Sequence, residues 1–139
     1  MSTLVRGALA GLAGTAAMSA TQALEMRVTG RKPSTVPGQV GATLLPGLTP
    51  DAQTVERLSP GVHRGHGVAM GVLRGLLGDG AGRGALHFAV LWGGDAVLYR
   101  ALGIAGLPWT WSRGDLAVDL LHKGVYGAVT NAAFVRLGR

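Results

Sequence analysis

Charged residues are rare along this chain, and they cut it into apolar stretches. The clearest stretch runs from Gly7 to Leu24, eighteen residues without a charge between Arg6 and Glu25, just long enough to cross hydrocarbon as one helix. A second runs from Gly61 to Gly78 and is interrupted by His63, Arg64, His66 and Arg74. A third, Gly84 to Leu107, contains His87, Asp95 and Arg100, and a fourth, from about Gly114 to Leu137, contains Asp119, His122 and Lys123. Between the first and second lie Pro33, Pro37, Pro46, Pro50 and Pro60 among glycines and threonines, the composition of an exposed connection. The pattern predicts one all-α domain over residues 1–139, a membrane bundle of about four transmembrane helices at about 4–28, 60–78, 83–107 and 113–137. Residues 29–59 are expected to form a Pro/Gly-rich connection.

Local signals sharpen the boundaries. Thr49-Pro50-Asp51-Ala52-Gln53 has the spacing of a capping box with proline in the first turn, which predicts a short surface helix to about Leu58. Ser59-Pro60 repeats the start signal ahead of the second stretch. Asp79-Gly80 reads as a turn, and Pro108 with Trp109-Thr110-Trp111 closes the third stretch, tryptophans there resembling an interfacial anchor. Ser112-Arg113-Gly114-Asp115 has N-cap spacing for the last helix. A cleaved leader competes for the first stretch, since Arg6 precedes it and small residues fill Ser19 to Ala23. The glycines that dilute its apolar core and the missing A-x-A site favour a retained helix.

Composition agrees with this picture in part. The chain is 47% hydrophobic, carries 24 glycines and is 14% charged, against about 25% charged in soluble domains. Its mean hydropathy of +0.32 is modest for a membrane protein, so each stretch must be judged separately. The net charge of +6 comes from arginines spread singly along the chain. Such spacing fits flanking charges of membrane helices better than a nucleic-acid surface, so a lipid bilayer is the expected partner and nucleic acid is not. Absence of cysteine excludes disulfides and thiolate chemistry.

The two halves share short patterns. Arg6-Gly7-Ala8-Leu9 opens the first stretch and Arg83-Gly84-Ala85-Leu86 the third, while His66 and His122 each precede a glycine, Gly71 and Gly127, by five residues. Two repeated helical hairpins would explain this; so would chance recurrence in a chain rich in glycine, alanine and leucine. The opening Arg6 to Met18, the stretch from His66 to Gly75 and the closing His122-Lys123-Gly124-Val125-Tyr126-Gly127 together resemble the DUF1440/YagU-like family of small bacterial inner-membrane proteins. The second stretch departs from the family pattern, with Met70 where a tyrosine is typical. The resemblance implies four helices and residence in the inner membrane, and says little about activity.

Candidate chemistry is sparse. Gly7 and Gly11, and Gly67, Gly71 and Gly75, recur every four residues and leave bare backbone along one helix face, the pattern that lets helices approach closely. Such faces serve packing within one bundle or association with a second copy or another membrane protein. His66, His87, Asp95, Asp119 and His122 are ionisable groups within apolar stretches, where they are costly and face a partner, cavity or ligand. Asp119 and Lys123 have the favourable i,i+4 order for an ion pair. Structural pairing is the simpler reading of these groups, and a proton or solute path the alternative. Haem or a metal held by His66 and His122 is a further alternative, although no metal-binding spacing supports it and no cofactor is expected. No nucleophile elbow, phosphate loop or catalytic carboxylate pair occurs, so the expected role is non-catalytic: structural or accessory.

Overall fold

The computed structural model describes residues 1–139 as an all-α protein without strands. Its helices are α1 (Thr3–Thr29), α2 (Val36–Leu44), α3 (Ala52–Leu77), α4 (Arg83–Ala101) and α5 (Arg113–Arg136), with a single 3₁₀ turn at Pro108–Thr110. By mean hydropathy along the sequence, no helix is long and apolar enough to cross a membrane. The four-span expectation therefore reduces to a helical bundle at this level.

Capping chemistry sets most ends. Ser2 Oγ accepts the Val5 N–H at the start of α1, and Gly30, at φ 72°, closes it with its own N–H on Met26 O. The cap of α3 is Asp51 rather than Thr49, with Pro50 outside the helix, because the Asp51 carboxylate accepts from Thr54 N at 2.9 Å and Thr54 Oγ1 at 3.1 Å. These bonds favour the ionised carboxylate and hold Asp51 below the usual Asp value. The cap is thus intact at neutral pH and is lost only as pH falls through that lowered value. Ser112 Oγ caps α5 through Asp115 N.

Three further boundaries differ from the sequence expectation. The surface helix and the second stretch are one element, because α3 runs unbroken from Ala52 through Pro60 to Leu77. A proline inside a helix costs about 3 kcal/mol, and tertiary contacts here offset it. Ser59 Oγ donates to Val55 O and accepts the Gly38 N–H at 3.0 Å, while Gly38 and Gly41 of α2 lie directly against Val55 and Val62, on either side of Pro60. The connection 29–59 consequently contains a helix that proline content hid. Pro37 occupies the first turn of α2, where its missing N–H costs nothing, and Pro46 lies past its end. Finally, α4 stops at Ala101 rather than 107. Gly103, at φ 69°, donates to Arg100 O and Ile104 N donates to Tyr99 O, a Schellman closure.

The four long helices alternate in direction. Gly7 and Gly11 of α1 face Gly71 and Gly67 of α3, and Thr3 faces Gly75, so α1 and α3 are antiparallel. Gly14 of α1 lies against Tyr126 and Thr130 of α5, and Gly84 of α4 against Asn131, which makes α5 antiparallel to both. At the α1–α3 crossing a Cβ on Gly7, Gly11, Gly71 or Gly75 would meet a backbone carbonyl of the opposite helix. Backbone cannot step aside as a side chain can. All five glycines singled out from the sequence thus sit at a contact within one chain.

Substitutions should divide along this line. Gly71→Ala is expected to destabilise the fold by about 2 kcal/mol through overpacking. Gly93→Ala or Gly94→Ala in α4, which have open space around them, should be neutral or stabilise by up to about 1 kcal/mol. Thermal unfolding of the three purified variants checks this, and equal effects at all three positions would contradict the crossing.

Candidate functional site

The interior is assembled from polar side chains. Arg6, Thr15, Arg74, His87, Asp95, His122, Lys123 and Thr130 are buried, alongside Ala10, Ala42, Val55, Leu91, Ala96, Tyr126 and Phe134. Arg74 (1% exposed), Phe134, His87 and Thr130 are the largest fully buried side chains. Large apolar residues meanwhile face outward on the long helices, including Leu9 and Leu12 of α1, Val90 and Val97 of α4, and Leu121 of α5.

Near the chain termini lies an arginine layer. Arg6 pairs with Asp79 at 2.6 Å, and the guanidiniums of Arg6 and Arg74 stand 3.6 and 4.3 Å from the centre of the Phe134 ring. Arg74 donates from Nε and Nη2 to Asn131 Oδ1 at 3.0 and 2.8 Å, and from Nη1 to Gly78 O at 2.7 Å. This fork explains how a guanidinium survives burial: neutral oxygens take its protons and an aromatic face takes part of its charge.

One turn inward, Tyr126 OH donates to Gly67 O at 2.6 Å and His87 Nε2 donates to Met70 O at 2.9 Å. His87 is fully buried here, its ring 6.0 Å from that of Tyr126. It stands apart from the other four ionisable residues expected at a common site.

Those four, His66, Asp95, Asp119 and His122, line one chamber of about 190 Å³. Lys123 holds its centre. Its Nζ lies 3.1 Å from Asp95 Oδ2 on α4 and 3.1 Å from Asp119 Oδ1 on its own helix, and 5.0 Å from the Tyr99 ring centre. His66 Nε2 of α3 is 3.0 Å from Asp95 Oδ1, Tyr99 OH donates to Asp95 Oδ2 at 3.2 Å, and Trp92 Nε1 donates to Asp119 Oδ2 at 2.9 Å. The Asp119–Lys123 pair follows from i,i+4 spacing on a helix, and Asp95 to Tyr99 has the same spacing. Asp95 to Lys123 joins two helices and has no local signal.

A second cavity of about 200 Å³ adjoins the chamber toward the α1–α2 connection, sharing Arg31, His63 and His122 and edged by Glu25 and Pro60. His122 Nε2 lies 4.0 Å from Glu25 Oε2. Glu25 marked only the end of the first stretch in the sequence, yet it faces this opening. Arg31, at the rim, lies 3.9 Å from Glu25 and 3.8 Å from Asp115. The two imidazoles of the haem alternative, His66 and His122, both line the chamber, each nearest a carboxylate named above. No three His, Asp or Glu side chains converge as a metal-ligand set.

The buried pair makes a quantitative expectation. Removing one partner of a buried pair leaves an uncompensated charge, at a cost of about 3–5 kcal/mol, and Asp119 offsets part of it here. Asp95→Asn should therefore destabilise by about 2–3 kcal/mol, and Lys123→Met, which strips the counter-charge from both acids, by about 3–5 kcal/mol. Because the residues share one interaction, Asp95→Asn/Lys123→Met should cost clearly less than the sum, as measured in a double-mutant cycle. Strict additivity would show that the pair is not coupled.

No protein-family model, curated protein or solved structure matches the chain.

Proposed function

We propose that this chain is a non-catalytic, membrane-embedded helical bundle that admits a small solute from one of its ends into an internal polar chamber. The observation that carries this reading is a partial inversion of burial: Arg6, Arg74, His87, Asp95, His122 and Lys123 are buried, while Leu9, Leu12, Val90, Val97 and Leu121 stand exposed within the long helices. A bundle folded for water does the reverse, since burying apolar area is its main driving force. Mean hydropathy along each helix averages the two faces together, so inward-turned Arg74, Asp95 and Lys123 lower the value without ever meeting lipid. Glycine-seamed helices and buried interhelical hydrogen bonds suit a medium in which the hydrophobic effect does not drive helix association. Residence in a bacterial inner membrane is part of the same proposal.

The chamber supports solute binding over a purely structural role, because it is a hollow lined by ionisable groups and connected to one end. Self-association through the glycine faces has no such support, as those glycines pack within one chain.

Alkaline carbonate extraction of cells expressing the chain tests the membrane reading. The protein should stay in the pellet with its helix α1 intact. Quantitative release into the supernatant would refute it.

A further inference from the structure

The sign of charge in the chamber and the nature of its walls identify the kind of solute it takes. The inner cluster comprises Asp95, Asp119 and Lys123, with two carboxylates against one ammonium. The other cation at this cavity, Arg31, sits at the rim within 4 Å of Glu25 and Asp115. Counted over its carboxylates and ammonium, the inner cluster therefore carries one negative charge in excess. Apolar side chains also line the space, Leu91 and Leu98 beside Asp95 on α4 and Met18, Val40 and Val62 from the other helices, and the phenol rings of Tyr99 and Tyr126 complete the lining. A bare metal ion would leave those apolar side chains unused, and an anion would meet the acids with its own charge.

A second observation points to a ligand. His122, 8% exposed, lines this space and the adjoining cavity, and its Nε2 has no hydrogen-bond partner, the nearest carboxylate being Glu25 at 4.0 Å. A buried polar nitrogen without a partner is costly, and a donor group on a bound molecule would satisfy it. The volume of about 190 Å³ is below the roughly 300–1,000 Å³ of drug-sized sites, which limits the occupant to a small molecule.

We infer that the chamber binds a small organic amine, its ammonium directed to Asp95, Asp119 and His122 and its apolar body against Met18, Val40 and Val62. Lys123 already supplies the ammonium of such a ligand from within the chain, between both acids and near an aromatic ring. This inference rests on the reading of the chamber as a solute site, and it is independent of the membrane reading, which carbonate extraction decides separately.

The test is calorimetric titration of the purified full chain in detergent micelles at neutral pH and low salt with three probes sharing one ring: benzylamine, benzyl alcohol and benzoate. Benzylamine should bind at least tenfold more tightly than the alcohol, and benzoate should give no measurable heat of binding. Asp119→Asn should weaken benzylamine tenfold or more. Val40→Phe, which fills the apolar side and leaves every charge in place, should abolish binding while the unfolding temperature is retained. Lys123→Met, which deletes the internal ammonium, should strengthen it. Preference for benzoate would overturn the charge assignment while leaving a solute site. Equal binding of the three probes, no binding of any, or benzylamine binding indifferent to both Asp119→Asn and Val40→Phe would overturn the inference outright.

Discussion

The close approach of α1 and α3 is the constraint on which the remaining structure depends. Because Gly7 and Gly11 meet Gly67, Gly71 and Gly75 backbone to backbone, that side of the bundle has no room for side chains. The hollow must lie beyond that seam, where residues of all five helices line it. There α4 stands off from α1 and touches mainly α5 and α3, and the wider spacing is filled by Asp95, Lys123, Tyr99 and the chamber. A tight seam on one side and a polar hollow on the other follow from one distribution of glycines.

The hollow also depends on α2. Its glycines Gly38 and Gly41 let it lie flat on α3 across Pro60, and Val36, Pro37 and Val40 roof the chamber. The same contact that keeps α3 helical through a proline therefore encloses the site. Loss of α2 would both free the α3 backbone around Pro60 and open the apolar wall.

What could be read from the sequence was local in origin. The cap at Ser112 depends on a side chain reaching three residues ahead, the Asp119–Lys123 pair on one helical turn, and the glycine faces on a repeat of four. Each is a short-range pattern with a fixed geometry. Helix α2 was hidden because prolines signal turns unless they stand in a first turn, and the helix at 52–58 and the stretch from 60 read as separate because Pro60 breaks a helix unless something packs across it. Asp95 with Lys123, and Glu25 beside His122, are meetings between helices, for which sequence spacing carries no information. His87 was grouped with the other ionisable residues by type alone; its place in the bundle put it with Met70 and Tyr126 instead.

The two sides of the bundle are held by different forces, and so they respond to different conditions. The α1–α3 seam is steric: it rests on the absence of side-chain atoms, and neither salt nor protons can alter it. The attachment of α4 is largely polar, through the Asp95–Lys123 ion pair and the hydrogen bonds of Trp92 to Asp119 and His87 to Met70 O, and it weakens when Asp95 is neutralised or Lys123 is drawn away. Beside that attachment, Gly93 and Gly94 form the least encumbered stretch of α4, immediately before Asp95. The fold thus pairs a fixed frame with a single adjustable wall, and the chamber lies between them.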